Sequence, residues 1–561
     1  MEDFTNKKSW ILVVILLVLF VGLHLPALHF PYHQDEYKWV FYSHPEITPP
    51  GTVPHPPLTE FIYTKIGPVL GDLNFRFIPF FFGILNFFLI FYLAKVIFDK
   101  RTAFWATFLF SISFYSLLAT LMVDVDGAIM PFFFLILSIS YFELKKRDFR
   151  SKLWWMLLLV GAIGGFMIKV SAVLPIVAVF LDFLIQKEVF SDYKKILKYA
   201  LYALGGVCFL VLLLVLAKFV FPFFNLEYSV GYWEHFWNSS SFLGRSWFQT
   251  FIQFFKSILY TSPLLVLPAF LADKELFKKT RVFYLFIFLG LFFYLVALDF
   301  SIGALDRYFQ FLVIPLSIIS GAIFAKFFES LGKIKKTHIF SLILVIIILF
   351  LVQFISHFVP SLHPKTEWLA RVFHFKWNFL YPFSGGSGPL GFYMSFLFMA
   401  LSWIISIFFV LIYFFQPHFR RIIFISIFSI GLLYNFVFTE EYLLGKINGS
   451  APKVLAGAVE FIKNDSNIKL VTVYNDNGGY EIQALGKYRK RLYTDPKFDA
   501  EVKMATLNKY KEFYLEVNIP RIDPQSFYRR YLDSCAVIYE KTDKSISAKV
   551  YDCTKAPDVK F

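Results

Sequence analysis

Long apolar blocks separated by short polar breaks run through most of the chain. A helix needs about 20 such residues to cross roughly 30 Å of hydrocarbon. On that measure the pattern predicts thirteen spans: 10–30, 75–98, 102–122, 127–142, 153–168, 170–186, 199–221, 249–272, 282–299, 309–327, 338–360, 391–415 and 422–438. The first follows Lys7 and Lys8 and lacks a small-residue cleavage site, so it reads as a span rather than a removed leader. An odd number of crossings puts the two ends of the chain on opposite sides. Basic residues gather in alternate connections: Lys100 and Arg101; Lys145, Lys146, Arg147 and Arg150; Lys187, Lys194 and Lys195; Lys278, Lys279 and Arg281; Lys333, Lys335 and Lys336; Arg420 and Arg421. These connections and the N-terminus are therefore expected in the cytoplasm. The outer side receives loops 31–74, 123–126, 222–248, 300–308 and 361–390, and the whole tail 439–561.

The tail carries a different pattern. Residues 452–464 have helical spacing, and 468–474, 511–518 and 535–541 read as strands. Asp476-Asn477-Gly478-Gly479 is a turn signal. The fold class expected is a polytopic α-helical membrane protein with about thirteen transmembrane helices and a small extracytoplasmic α/β C-terminal domain. The domains are 1–438 in the membrane and 439–561 outside it.

Composition sharpens the class. Of 561 residues 57% are hydrophobic, 76 are phenylalanine and only 17% are charged, against roughly 45–50% apolar in soluble domains. That excludes a disordered chain, a coiled coil and a small disulfide scaffold, and argues against a soluble enzyme. The net charge of +15 is accounted for by basic membrane connections, so nucleic acid is not invoked. Of the three cysteines, Cys208 lies inside an apolar block and is expected to be buried. A hairpin with its turn near Thr542-Asp543-Lys544-Ser545 sets Cys535 opposite Cys553 and predicts a disulfide outside the cell.

The candidate chemistry lies in the outer connections. The first loop opens with His33-Gln34-Asp35-Glu36-Tyr37, two carboxylates directly after a span, where desolvation is costly unless they have work or partners. The alternative is an ordinary solvated acidic loop. His55-Pro56-Pro57-Leu58 follows, a rigid turn that presents a histidine or simply ends a loop. Arg76 opens the second span and can bind phosphate or snorkel to headgroups. Asp124-Val125-Asp126-Gly127 is a tight acidic turn whose alternate carboxylates can take a divalent cation. Lys169 sits at the tip between the fifth and sixth spans, and Arg307-Tyr308 at the start of the tenth. Cations at this depth suit a lipid phosphate, and a carboxylate suits a base.

Taken in order, these motifs resemble the GT-C superfamily of membrane glycosyltransferases, nearest to the branch of the protein O-mannosyltransferases and the lipid A aminoarabinose transferase. The resemblance covers roughly 10–320: the Asp35-Glu36 pair, the Pro-Pro-Leu motif after a basic residue at His55, the arginine at Arg76, an acidic turn matched at Asp126, a Gly-rich span from Gly161 to Lys169, and Arg307-Tyr308 with Pro315. One departure stands out: Asp124 occupies the place of an arginine.

The resemblance implies a polyprenyl-phosphate-linked sugar as donor and an acceptor hydroxyl on a glycolipid, glycan or protein of the cell envelope. It also implies residence in the cytoplasmic (plasma) membrane. Asp35 would be the base and Glu36 would orient the site. His55, Arg76, Asp124, Asp126, Lys169, Arg307 and Tyr308 would bind substrate, with Lys169, Arg307 and Arg76 facing the phosphate. One in-line displacement would invert the anomeric carbon, and the phosphate needs no general acid, unlike glycoside hydrolysis. A lipid or sugar flippase is the alternative, but it should place charges near the bilayer midplane. Outer segment 361–390 is expected to be mobile, either a lid over the lipid donor or an ordinary surface helix. It carries Pro360, Pro364, Pro382 and Gly385-Gly386-Ser387-Gly388, with an interfacial stripe of Trp368, Val372, Phe373 and Trp377.

Overall fold

The computed structural model describes residues 6–558 apart from 34, 45–46, 49–50, 240–244, 298–305, 330–335, 362–365, 384–389 and 494–499. Each of the thirteen apolar blocks contains helix. Among the described residues eight helices are long and apolar enough to cross a membrane, and ten if each of two bent pairs is one crossing. The other three blocks are the helices Ile129–Lys146, Lys152–Ile168 and Val173–Gln186. The first carries Glu143, Lys145 and Lys146 near its end. The second has only 17 residues and the third 14.

Two blocks expected to be continuous are broken. Lys100–Ile112 and Phe114–Leu121 meet at 69°. Ser113 is extended there and its hydroxyl accepts from the Ser116 N–H, capping the new helix. The eighth block bends by 103° ahead of Ser262–Ala269. Ser262 there has a left-handed backbone (φ +67°) and Pro263 fits the first turn of the new helix.

The chain forms two compact units, one of residues 1–28 and 38–332, the other of 29–37 and 333–561. In the first unit, helix Phe77–Ile97 packs on Lys100–Ile112 and on Ile129–Lys146, which in turn pairs with Lys152–Ile168. Glycine governs that last pairing. A Cβ on Gly161 would stand 2.6 Å from the Leu137 backbone nitrogen, so only glycine admits the approach. Helix Tyr193–Val220 packs little of its surface inside the protein, 6% of its most apolar window. Cys208 on it is exposed, contrary to expectation. In a membrane, lipid can solvate an apolar face that in water would have to be covered by protein.

The second unit holds the helices Lys336–Val352, Phe396–Phe415 and Arg420–Leu443. Its described part of 361–390 is a short helix, Thr366–Phe373, and strand β1 (Leu380–Phe383) paired antiparallel with β2 (Phe392–Ser395). Both strands are fully buried. The expected stripe does not share one exposure: Trp368 is buried against Tyr381, whereas Phe373 is exposed. Pro364 and Gly385-Gly386-Ser387-Gly388 lie outside the described residues.

The tail forms a five-stranded mixed sheet in the order β4-β3-β5-β7-β6, with β3 Val471–Tyr474, β4 Tyr488–Leu492, β5 Phe513–Val517, β6 Ala536–Asp543 and β7 Ile546–Asp552. Helix Ala451–Asn464 lays Val454, Leu455, Ala458 and Ile462, one stripe at helical spacing, on one face of the sheet. Tyr474, Tyr514, Tyr531 and Tyr551 fill the core of the other face. The sequence pattern missed β4 because its five residues, Tyr-Arg-Lys-Arg-Leu, are mostly charged. Cys535 and Cys553 are disulfide-bonded. The turn pairs Asp543 with Ile546, which alone would put Cys535 opposite Thr554. A bulge between Val537 and Tyr539 takes up one residue and returns it to Cys553.

Candidate active site

Three connections of the first unit converge. Helix Lys152–Ile168 ends at Ile168 and Lys169 turns extended (φ −155°), its N–H still bonded to the Gly165 carbonyl. The Lys169 ammonium donates to both Asp126 oxygens, at 2.7 and 2.6 Å. Both side chains are buried, so Lys169 does not snorkel. Burial alone would lower the Lys169 pKa; the Asp126 carboxylate overrides this and holds it above its ordinary value. Asp126 is placed by the glycine after it. A Cβ on Gly127 would lie 2.0 Å from the Ala119 carbonyl oxygen, so the turn folds back tightly on helix Phe114–Leu121.

Arg307 and Tyr308 stand in a 3-10 turn, Asp306–Leu312, ahead of helix Val313–Glu329. The Arg307 guanidinium donates to Asp124 at 3.1 Å and to the Tyr308 hydroxyl at 2.9 Å. Asp124, the departure from the family pattern, is thus neutralised by an arginine from a distant connection. The Tyr308 ring lies beneath both cations, 4.7 Å from the Lys169 nitrogen and 4.8 Å from the Arg307 guanidinium carbon. The result is two acid–base pairs around one aromatic ring.

The Pro-Pro-Leu motif starts a helix instead of only forbidding one. Pro57 occupies the first position of Pro57–Phe61, where its missing N–H costs nothing. Thr59 of that helix donates to the Ile168 carbonyl at 2.6 Å, beside Lys169. His55 stacks on Trp39 (5.5 Å between centroids), Trp39 on Tyr63 (4.7 Å), and the Tyr63 hydroxyl donates to the Asp124 carbonyl at 2.9 Å. Arg76 is fully buried and donates to the Ala27 carbonyl at 3.2 Å, tying the first span's end to the second's start.

Sequence reasoning did not single out Trp39, Thr59, Glu60 or Tyr63. Glu60 is buried in helix Pro57–Phe61, and burial pushes its carboxyl up to about 7, offset in part by the Gly51 N–H and Lys65. The only signal for it was an acidic residue two places after the Pro-Pro-Leu motif. Beside this cluster an apolar groove of about 440 Å³ is lined by Pro56, Val170, Leu214, Phe224, Leu226 and Trp233, among others.

Asp35 and Glu36 belong to the other unit. They begin helix Asp35–Tyr42. Glu36 is fully buried and accepts from the His33 N–H at 3.1 Å, closing the helix start, while Asp35 is half-buried.

Each carboxylate of the acidic turn is held by a cation of the protein.

Residues 54–217 match the family profile of dolichyl-phosphate-mannose-protein mannosyltransferase. No curated protein sequence matches the chain. Among solved structures, ArnT from Cupriavidus metallidurans in the apo state shares the fold at a TM-score of 0.54 and 12% identity, over 97% of this chain and 98% of that one. ArnT bound to undecaprenyl phosphate gives 0.51 and 11%, with the same coverage. An oligosaccharyltransferase from Archaeoglobus fulgidus in the apo form gives 0.44 and 11%, over 92% and 70%. Over nearly its whole length the chain shares the fold of ArnT.

Proposed function

We propose that this GT-C-fold protein transfers a sugar from a polyprenyl-phosphate donor to an acceptor hydroxyl at the outer face of the cytoplasmic membrane, inverting the anomeric carbon. The observation that carries the reading is the paired cluster Asp124–Arg307 and Asp126–Lys169 around Tyr308. Two cations already held in place can meet a lipid phosphate without reorganising, which is where electrostatic catalysis draws its strength. Arg307 has five N–H donors, so it can hold Asp124 and a phosphate oxygen together. The apolar groove suits the isoprenoid chain of such a donor, and the profile match and the structure of ArnT with undecaprenyl phosphate support that choice.

In the reaction the acceptor oxygen bonds to the anomeric carbon as the bond to the phosphate oxygen breaks. Asp35 takes the hydroxyl proton, and the departing lipid phosphate keeps the electron pair beside Lys169 and Arg307. Glu36 fixes the start of the helix that bears Asp35. Because the acidic turn is ion-paired, we assign no step to a divalent cation.

The test is sugar transfer by the purified protein with a panel of polyprenyl-phosphate sugars. Asp35→Asn is expected to lose about 10²–10⁴ in rate with folding intact, Glu36→Gln to lose less, and EDTA to change nothing. Movement of intact lipid without cleavage of the sugar–phosphate bond would establish the flippase alternative. An active Asp35→Asn beside a dead Asp126→Asn would move the base to the acidic turn.

A further inference from the structure

The segment 29–37, which carries both candidate catalytic carboxylates, groups with residues 333–561 and not with the helices that flank it in sequence. Its partner is the loop after β3, at the carboxyl end of the parallel part of the sheet. His33 forms an antiparallel bridge with Asn477, and its ring lies 3.3 Å from the Asn475 carbonyl. The Tyr32 N–H donates to Glu481 at 3.2 Å, and the Tyr32 ring meets Tyr480 edge-on. Tyr37, two residues after Asp35 in the first turn of helix Asp35–Tyr42, donates its hydroxyl to Asp476 at 2.6 Å. Arg491 of β4 reaches the same Asp476 oxygen at 3.1 Å and the Tyr37 oxygen at 3.4 Å.

This contact is built at a cost. Asp476 is fully buried, and Asn475 and Asp476 both hold left-handed backbone (φ +49° and +61°). Two consecutive non-glycine residues in that region persist only where their surroundings hold them. Here the surroundings include the first loop itself. Burial outweighs the carboxylates of Asp476, Glu36 and Asp35 and lowers the His33 pKa, so the bridge residue sits there as a neutral ring.

We propose that the C-terminal sheet domain is part of the transferase's catalytic apparatus: Asp476, clamped by Arg491, grips Tyr37 and so sets the helix that carries Asp35. Tyr37, Asp476 and Arg491 are positioning residues. The inference rests on Asp35 as the base, and it assigns the tail a role that a bystander domain would not have. A helix held at its second residue past the base leaves that base little freedom, and misplacement by about 1 Å can cost on the order of 100-fold in rate.

The test uses the full-length protein in lipid nanodiscs with a polyprenyl-phosphate sugar and acceptor. Tyr37→Phe removes one hydroxyl and Asp476→Asn one charge; Val550→Ala, in the sheet core, is the control for simple destabilisation. Tyr37→Phe and Asp476→Asn are expected to lower kcat by about 10–100-fold, with donor KM within about twofold. Amides of 29–42 should exchange faster, and Val550→Ala at a matched thermal midpoint should keep its kcat. If Asp476→Asn fails to fold, Tyr37→Phe alone decides. Full kcat in the Tyr37 variant with loosened exchange, or an equal loss in Val550→Ala, overturns the grip while leaving the base intact. An active Asp35→Asn overturns the base, and the grip with it.

Discussion

Lys169 and Asp126 each have a structural role as well as a proposed chemical one, and substitution can separate the two. Removing one partner of a buried ion pair typically costs about 3–5 kcal/mol, mostly because the other charge is stranded. Lys169→Ala is therefore expected to lower the thermal midpoint sharply. The double variant Lys169→Met/Asp126→Leu, apolar on both sides, should regain most of that stability and still show no sugar transfer. Recovery of transfer with stability would reduce the pair to scaffold. Glu60 yields a pH dependence of known sign. Its carboxyl titrates near 7 in the folded protein, against an ordinary 4.5. Between those values the unfolded chain is ionised while the folded one is still protonated, so stability falls as pH rises through the window and is level above it. A thermal midpoint measured at pH 5 and pH 8 should drop in the native protein by more than in Glu60→Gln, which cannot ionise.

At the scale of elements, the Gly-rich span acts by closeness. Gly161 lets helix Lys152–Ile168 touch the backbone of Ile129–Lys146 at Leu137. Just past the end of that helix is Lys169, and ahead of its partner is Asp126. Gly161→Val is expected to push the helices apart, at an overpacking cost of about 1–3 kcal/mol, and to cut transfer by more than a surface glycine change such as Gly206→Val, which meets nothing within 4 Å. Equal activity in the two would show that the close approach is not needed at the site. The glycines were visible in the chain, but what each one touches was not. The breaks at Ser113 and Ser262 show the same limit. A proline, Pro263, stands at the second, whereas nothing but a serine with capping ability marks the first, and the apolar pattern ran through both.

For the molecule as a whole, the tail is closed on itself by a covalent link. The Cys535–Cys553 bond spans 18 residues, a loop whose closure is worth about 3 kcal/mol in the unfolded chain. Denaturing alkylation without reductant should label only Cys208, and reductant should lower the midpoint of the tail's unfolding. Labelling of all three cysteines would show that the bond does not form. Asn448 opens the glycosylation sequon Asn448-Gly449-Ser450 and is buried and bonded to Glu441, so that sequon is closed to modification in the folded state.

The chain by itself determined the membrane class, the thirteen helical blocks, most of the tail's strands and the cysteine pairing. Each depends on neighbours in sequence: twenty apolar residues in a row, alternation by two, a hairpin around one turn. Its ordered short motifs also pointed to the GT-C fold. Only the tertiary structure decided which charges meet. Asp124 finds Arg307 across 183 residues and Asp126 finds Lys169 across 43, while Tyr37 is held by Asp476 across 439. No local pattern encodes such pairs, because they are set by how closely helices pack and where a loop docks. An aspartate where an arginine was expected read as a defect in the motif; in three dimensions its countercharge arrives from another connection.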